Sequence, residues 1–346
     1  MKFICILFFS LLSFSSNNET LLNNIKELDF FTLGSCNHQR FPQPHWGNIK
    51  KMNPDLMLLM GDNVYSDFLS FQSLEKDYQM LLTGKGFKEL TQKVPFIATW
   101  DDHDYAGNNE GFDYPGKVES KKLFLKFAQE PTYSDRTLTP GIYTSYDFGE
   151  GDKSVRFILL DLRSFRNSKE LGYKDLLGEP QWEWLEQKLI SSKAKINFIV
   201  SSTSVFSRPG KTKKNEKWID YPKSFKRLMH LVEKHEPSGV FFLSGDRHFG
   251  LMHSYTYKSR TFHEFISSGL THGAKTTTAL LRIKYGPLSY AGRNYGSIAI
   301  DWSKQPSMTL KIHSSTDGSI QAKKSYILNN NRFDAISAPT DPILTR

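Results

Sequence analysis

A chain of 346 residues with a formal net charge of +9 has room for one large domain or two ordinary ones, each with a sizeable core. Past the first 16 residues no apolar run has the length that a membrane-spanning helix needs, so no transmembrane anchor is expected. The bases are scattered except for the run Lys211–Lys217, which reads as a solvated loop; nucleic acid is not the expected partner, whereas a general positive field favours small anionic substrates such as phosphate esters.

Lys2, the apolar run Phe3–Phe14 and the small residues Ser13, Ser15 and Ser16 read as a signal peptide over 1–16. The expected product is a secreted or lumenal (endomembrane) protein. Cys5 leaves with that segment, and Cys36 remains as a lone cysteine where disulfides are favoured. A buried, inert thiol is the ordinary fate of such a residue. Its place just after a strand, beside Asn37 and His38, points instead to a ligand or a reactive thiolate. Residues 17–27 are polar and read as a loose leader, and the sequon Asn18-Glu19-Thr20 lies too near the cleavage point to carry weight.

The first strand, 29–34, ends in Gly34-Ser35-Cys36-Asn37. A helix over 45–53 stops at Asn53-Pro54, because the residue before proline avoids the helical region. Leu56–Met60 is apolar without alternation, as in a strand buried on both faces, and ends in Gly61-Asp62-Asn63-Val64-Tyr65. Helices over 71–82 and 86–93 lead to Phe96–Trp100, which ends in Asp101-Asp102-His103-Asp104. A Gly/Asn-rich loop (107–116) has a length often seen in functional loops.

A helix over 118–129 precedes two strands, 141–148 and 154–160, and the second ends in Asp161-Leu162-Arg163. Pro180 starts a helix whose Trp182, Leu185 and Leu189 form a core-facing stripe. Strand 196–200 runs into Ser201–Ser204, and helix 223–235 presents Leu228, Leu231 and Val232. Val240–Leu243 ends in Ser244-Gly245-Asp246-Arg247-His248, with a neighbouring strand over 249–257. Alternating strands follow at 297–302 and 308–312, then a polar tail over 329–346. No repeat or linker divides the chain, so a single catalytic domain over 28–328 is expected.

In an open α/β sheet, chemistry collects where strands end. Five endings that supply Asp, His, Cys and Tyr form a candidate cluster of metal ligands. Closely spaced cations neutralise a phosphate ester's charge and activate water near neutral pH, and bridging carboxylates such as Asp62 and Asp102 suit them. A thiolate with a phenolate favours ferric iron, while carboxylate-rich positions favour calcium, magnesium or manganese. Zinc usually takes more histidine and cysteine than these endings offer.

The four motifs at Cys36, Asp62–Tyr65, Asp101–Asp104 and Asp246–His248 together resemble the alkaline phosphatase D (PhoD-type) family, a branch of the calcineurin-like metallophosphatases. Tyr143–Gly149, Asp161–Arg163 and Leu176–Trp182 are similar too, and the resemblance covers roughly residues 30 to 315. It implies a four-layer α/β/β/α sandwich, hydrolysis of phosphomonoesters or phosphodiesters, and iron(III) with calcium. Cys36, Asp62, Tyr65, Asp102, Asp246 and His248 are the implied metal ligands, with Asp62 bridging. His103, Asp102 and Arg163 are the implied catalytic residues, His103 as phosphate contact or proton donor.

Two departures accompany the resemblance: there is no room before Cys36 for the N-terminal β domain of bacterial members, and Ser201–Ser204 stands where many metallophosphatases present a histidine. His38, His45, His253, His263 and His272 are read as structural. The alternatives are a phospholipase D-like phosphodiesterase and a non-catalytic polyanion-binding protein on the same fold. A monomer is expected.

Overall fold

The computed structural model describes residues 12–66, 70–130, 134–167, 174–206 and 217–336, with backbone alone for 12–16. Residues 1–11 of the expected signal peptide, Lys211 to Glu216 of the basic run and the tail from 337 lie outside the described residues. In chain order come α1 (Leu12–Asn23), β1 (Phe30–Gly34), α2 (His45–Met52), β2 (Leu56–Met60), α3 (Phe71–Thr83), α4 (Lys85–Thr91) and β3 (Phe96–Thr99). The short α5 (Asp102–Tyr105) precedes α6 (Lys117–Phe127), α7 (Asp135–Leu138), β4 (Thr144–Phe148) and β5 (Val155–Leu159). Then follow α8 (Gly178–Ile190), β6 (Ile196–Ser201), α9 (Pro222–His235), β7 (Val240–Ser244), β8 (Gly250–Tyr257) and β9 (Arg260–Ser267). The last elements are α10 (Thr278–Tyr285), β10 (Ser289–Tyr290), β11 (Asn294–Asp301), β12 (Ser307–Ser314), β13 (Ile320–Asn329) and β14 (Arg332–Ala335).

Among the described residues the strands form two seven-stranded sheets, ordered β14-β13-β12-β11-β1-β2-β3 and β10-β8-β9-β7-β6-β5-β4. β1, β2 and β3 run parallel, as do β5, β6, β7 and β9. The unbroken apolar runs follow from burial on both faces. In β2, Leu58 and Met60 point between the sheets, where they join Phe31, Phe157, Phe198 and Phe265. Met57 and Leu59 point outward onto Trp46, Tyr78 and Phe87 of α2, α3 and α4. On the far side, Ile158, Ile199 and Phe242 meet Trp182 and Leu185 of α8 and Leu228 and Val232 of α9. This is the expected α/β/β/α sandwich, a single fold with its core in three apolar layers.

Two expectations change at the ends of the chain. The leader is helical through Asn23, and the buried Asn18 accepts from the Phe96 N–H (2.9 Å) and donates to the Phe96 carbonyl (3.1 Å). β3 is a sheet edge, and Asn18 satisfies groups that the edge leaves unpaired. The polar tail also packs further than expected. Asn330 and Asn331 take positive φ (45° and 61°), as a tight hairpin requires, and return β14 to the sheet with Phe333 buried.

Candidate metal centre

The turns that follow the parallel strands of both sheets meet at one edge of the sandwich. Cys36, Asp62, Asp246 and His248 all have left-handed φ values, of 60°, 50°, 65° and 56°. That region is uncommon for residues other than glycine, and such outliers gather at functional sites. Gly61 (φ 96°) makes the turn before Asp62; a Cβ there would stand 2.7 Å from Cβ of Asp101, so no larger residue fits. The Cys36 and Asn37 N–H groups donate to the Gly61 and Asp62 carbonyls, which ties the first two turns together.

The side chains converge accordingly. Sγ of Cys36 lies 3.5 Å from Oδ2 of Asp62 and 3.2 Å from Oγ of Ser268. The Tyr65 hydroxyl donates to Oδ2 of Asp62 (2.9 Å) and stands 3.2 Å from Nε2 of His248. One ligand atom each from Cys36, Asp62 and His248 fall within 4.8 Å of one another, and so do those of Asp62, Asp102 and His103. Asp62 is common to both groups. Among the described residues Asp246 falls in neither group, although its charge helps push up the Cys36 thiol.

A shell of polar groups holds this cluster. Asp101 accepts from Arg163 Nε (2.5 Å) and from the Ser202 hydroxyl (2.8 Å). Asp102 accepts the Asn109 N–H at 2.8 Å, and Arg163 Nη2 lies 3.7 Å from it. Asp104 turns away from the cluster to accept from the Asn63 and Asp101 N–H groups and the Tyr78 hydroxyl. The serines at 201–204 supply hydroxyl support: Ser202 to Asp101, Ser201 to the Thr203 carbonyl, and Ser204 to Glu264.

Electrostatics test whether a cation fits. Burial, with Asp102, Cys36 and Asp101 nearby, holds the Asp62 carboxyl well above the usual carboxylate range. Burial pushes the Cys36 thiol up to about 12, and burial with Asp62 raises the Tyr65 phenol. Burial takes Asp104 to about 7. Burial also works against the Asp102 carboxylate, but Arg163 and His103 outweigh it and bring the group to about 2. The enclosed acids thus exceed the positive charge beside them, and Oδ2 of Asp101 has no hydrogen-bond partner among the described residues. A bound cation reverses each upward shift at the cluster, so the donor set fits one.

Of the residues expected from sequence, Cys36, Asp62, Tyr65, Asp102, His103 and His248 are brought together at this edge. Arg163 sits beneath them with no exposed surface. His45, His253 and His263, read as structural from the sequence, fall in neither ligand group: His45 is enclosed beside Trp46, His253 pairs with Glu264, and His263 meets the Phe333 carbonyl. His38 and His272 are not remote. His272 lies 5.0 Å from the His248 ring and 4.7 Å from that of Tyr65, and His38 stacks on Phe41 and Tyr65. His272 follows β9, whose run Phe262–Ser267 ends in Ser268-Gly269 like the other strands. That ending was the signal for it, and for Ser268.

The family model for PhoD-like phosphatases matches residues 31–295. Alkaline phosphatase D of Bacillus subtilis (strain 168) is 21% identical over 281 residues, 63% of this chain and 45% of that protein, so the chain spans less than half the length of this curated relative. The solved structure of PhoD is similar with a TM-score of 0.71 at 18% identity, covering 92% of this chain and 73% of that one. The match runs from β1 to β11 and includes every turn that supplies the cluster, and the chain therefore belongs to the PhoD-like phosphatase family.

Proposed function

We propose that this chain is a metal-dependent phosphohydrolase acting on phosphate esters. The observation that carries the reading is the sharing of Asp62 between two groups of candidate ligands. Cys36, Asp62, Tyr65 and His248 would hold one ion, with iron(III) favoured by the thiol and phenol. Asp62 and Asp102 would hold a harder ion such as calcium. Metal ions held there would neutralise phosphate charge and lower the pKa of water.

The chain's own residues supply the rest. Arg163 is a positioning residue in this reading, because it is enclosed and reaches Asp101 and Asp102 rather than solvent. His103 is half-buried, with its ring 4.2 Å from that of Tyr65, among ligand candidates that are otherwise mostly buried. That location suits a group that protonates a departing alkoxide. The bonding of Cys36 and His248 to Ser268 fixes two ligands against β9.

The test is metal analysis of the purified protein together with turnover of p-nitrophenyl phosphate and of its bis-ester. Bound iron with a second divalent ion, and metal-dependent turnover of at least one ester, is the expected result. Protein that binds none of iron, calcium, magnesium, manganese or zinc, and turns over neither ester, would overturn the reading. The ratio of the two rates separates a monoesterase from a phospholipase D-like diesterase. Secretion or lumenal residence and a monomeric state are further expectations; no described helix is long and apolar enough to cross a membrane.

A further inference from the structure

Beside the cluster, a cleft of about 380 Å³ opens between the turn after β7 and α10, with His248 in its wall. α10 is a firmly made short helix. The Thr277 side chain caps it by accepting the Leu280 N–H, and Gly286 (φ 96°) ends it. Leu281 anchors its inner face against Phe249, Leu251 and Ile266. The outer face is unusual for a soluble surface: Leu280 is 58% exposed and Ile283, three residues on, is 82% exposed. Lys275, Arg282 and Lys284 stand exposed around them.

Along the chain on either side of this helix the charge is of one sign, although Asp246 lies in the turn across the cleft. From residue 265 to residue 300 the chain has four cations, Lys275, Arg282, Lys284 and Arg293, and neither Asp nor Glu. Cations alone would suit any polyanion. Aliphatic side chains projecting between them cost free energy in water and gain nothing from a nucleic acid or a soluble phosphate. A helix with an apolar ridge flanked by lysine and arginine matches the boundary between anionic headgroups and acyl chains.

We propose that the α10 face docks on an anionic phospholipid bilayer. Leu280 and Ile283 enter the headgroup boundary, Lys275, Arg282 and Lys284 meet lipid phosphates, and the cleft beside His248 faces the membrane surface. The docking is independent of turnover and does not rest on the hydrolase reading.

The experiment is co-sedimentation of the full chain with phosphatidylcholine vesicles and with 7:3 phosphatidylcholine:phosphatidylglycerol vesicles, alongside turnover of soluble p-nitrophenyl phosphate. The wild-type chain is expected to pellet with the mixed vesicles and not with the neutral ones. L280D/I283D should lose binding at least tenfold, and each of K275Q and K284Q about fivefold. All variants should keep the wild-type melting temperature and soluble turnover. Absence of wild-type pelleting would overturn the proposal. So would full pelleting by L280D/I283D, which would leave only charge, or a lipid-free dimer abolished by L280D/I283D, which would make a second copy the occupant.

Discussion

Arg163 and Asp101 form an enclosed ion pair: Nε donates to Oδ1 at 2.5 Å, with the two side chains 0% and 1% exposed. The same guanidinium lies 3.7 Å from Asp102, so one buried cation serves two neighbouring acids. The pair comes from opposite sheets, Asp101 following β3 and Arg163 following β5, and it fastens the two halves of the sandwich under the cluster.

Arg163→Met should therefore act through stability. Removing one partner leaves buried acid uncompensated, at a cost of about 3–5 kcal/mol. Arg163→Lys should recover little, because an ammonium cannot reach both acids from one fork. Urea unfolding measures the cost, and steady-state kinetics on the folded fraction should show KM for p-nitrophenyl phosphate unchanged. A large rise in KM with stability intact would instead put Arg163 against the substrate.

Cys36 and Asp62 predict different metal losses. Cys36→Ser should deplete iron far more than calcium, since a serine hydroxyl substitutes poorly for a soft thiolate. Asp62→Asn should deplete both and abolish turnover, because its carboxyl is shared by the two groups. Elemental analysis of the folded variants checks the pair. Equal loss of both metals in Cys36→Ser would count against a thiolate–iron bond.

His103 is distinguished by leaving group. A p-nitrophenolate departs largely unaided, whereas an alkyl alkoxide needs a proton, and general acid help is worth about a hundredfold to ten-thousandfold. His103→Ala should fall by such a factor on alkyl phosphates and much less on p-nitrophenyl phosphate. A similar fall on both, with loss of one metal, would make His103 a ligand beside Asp62 and Asp102.

His45 gives a pH dependence away from the cluster. The ring is fully buried in α2, neither nitrogen has a hydrogen-bond partner among the described residues, and burial, with Arg293 nearby, lowers its pKa from 6.5 to about 3. The folded pKa is below the unfolded one, so the unfolded chain takes up the proton first. The contribution of the neutral ring is full above pH 6.5 and is lost as pH falls from there toward 3. By pH 5 about 2 kcal/mol should be gone. His45→Leu should remove this slope, read as a smaller difference in urea midpoint between pH 7.5 and pH 5 than in the wild-type chain.

Much of the sandwich and part of the site were legible along the chain. A strand covered on both faces has to be apolar throughout, and it stops being so where the backbone leaves the sheet. The runs before Cys36, Asp62, Asp102 and His248 therefore marked both the strands and the turns that carry the candidate ligands. What the sequence left open was every choice made by a partner distant along the chain. Three aspartates stand within four residues at 101–104, and local pattern cannot say that Asp102 joins Asp62 while Asp101 binds Arg163 and Asp104 binds Asn63 and Tyr78. Asn18 looked like part of a loose leader because the edge that it caps, β3, lies 78 residues away. His272 and Ser268 looked incidental because β9 was not read as a strand, and its pairing with β7 on one side and β8 on the other carries them to Cys36 and His248. Apolar periodicity is a local consequence of burial, so it can be read residue by residue; which polar groups share a buried site depends on how two sheets pack, and that is decided only when both are in place.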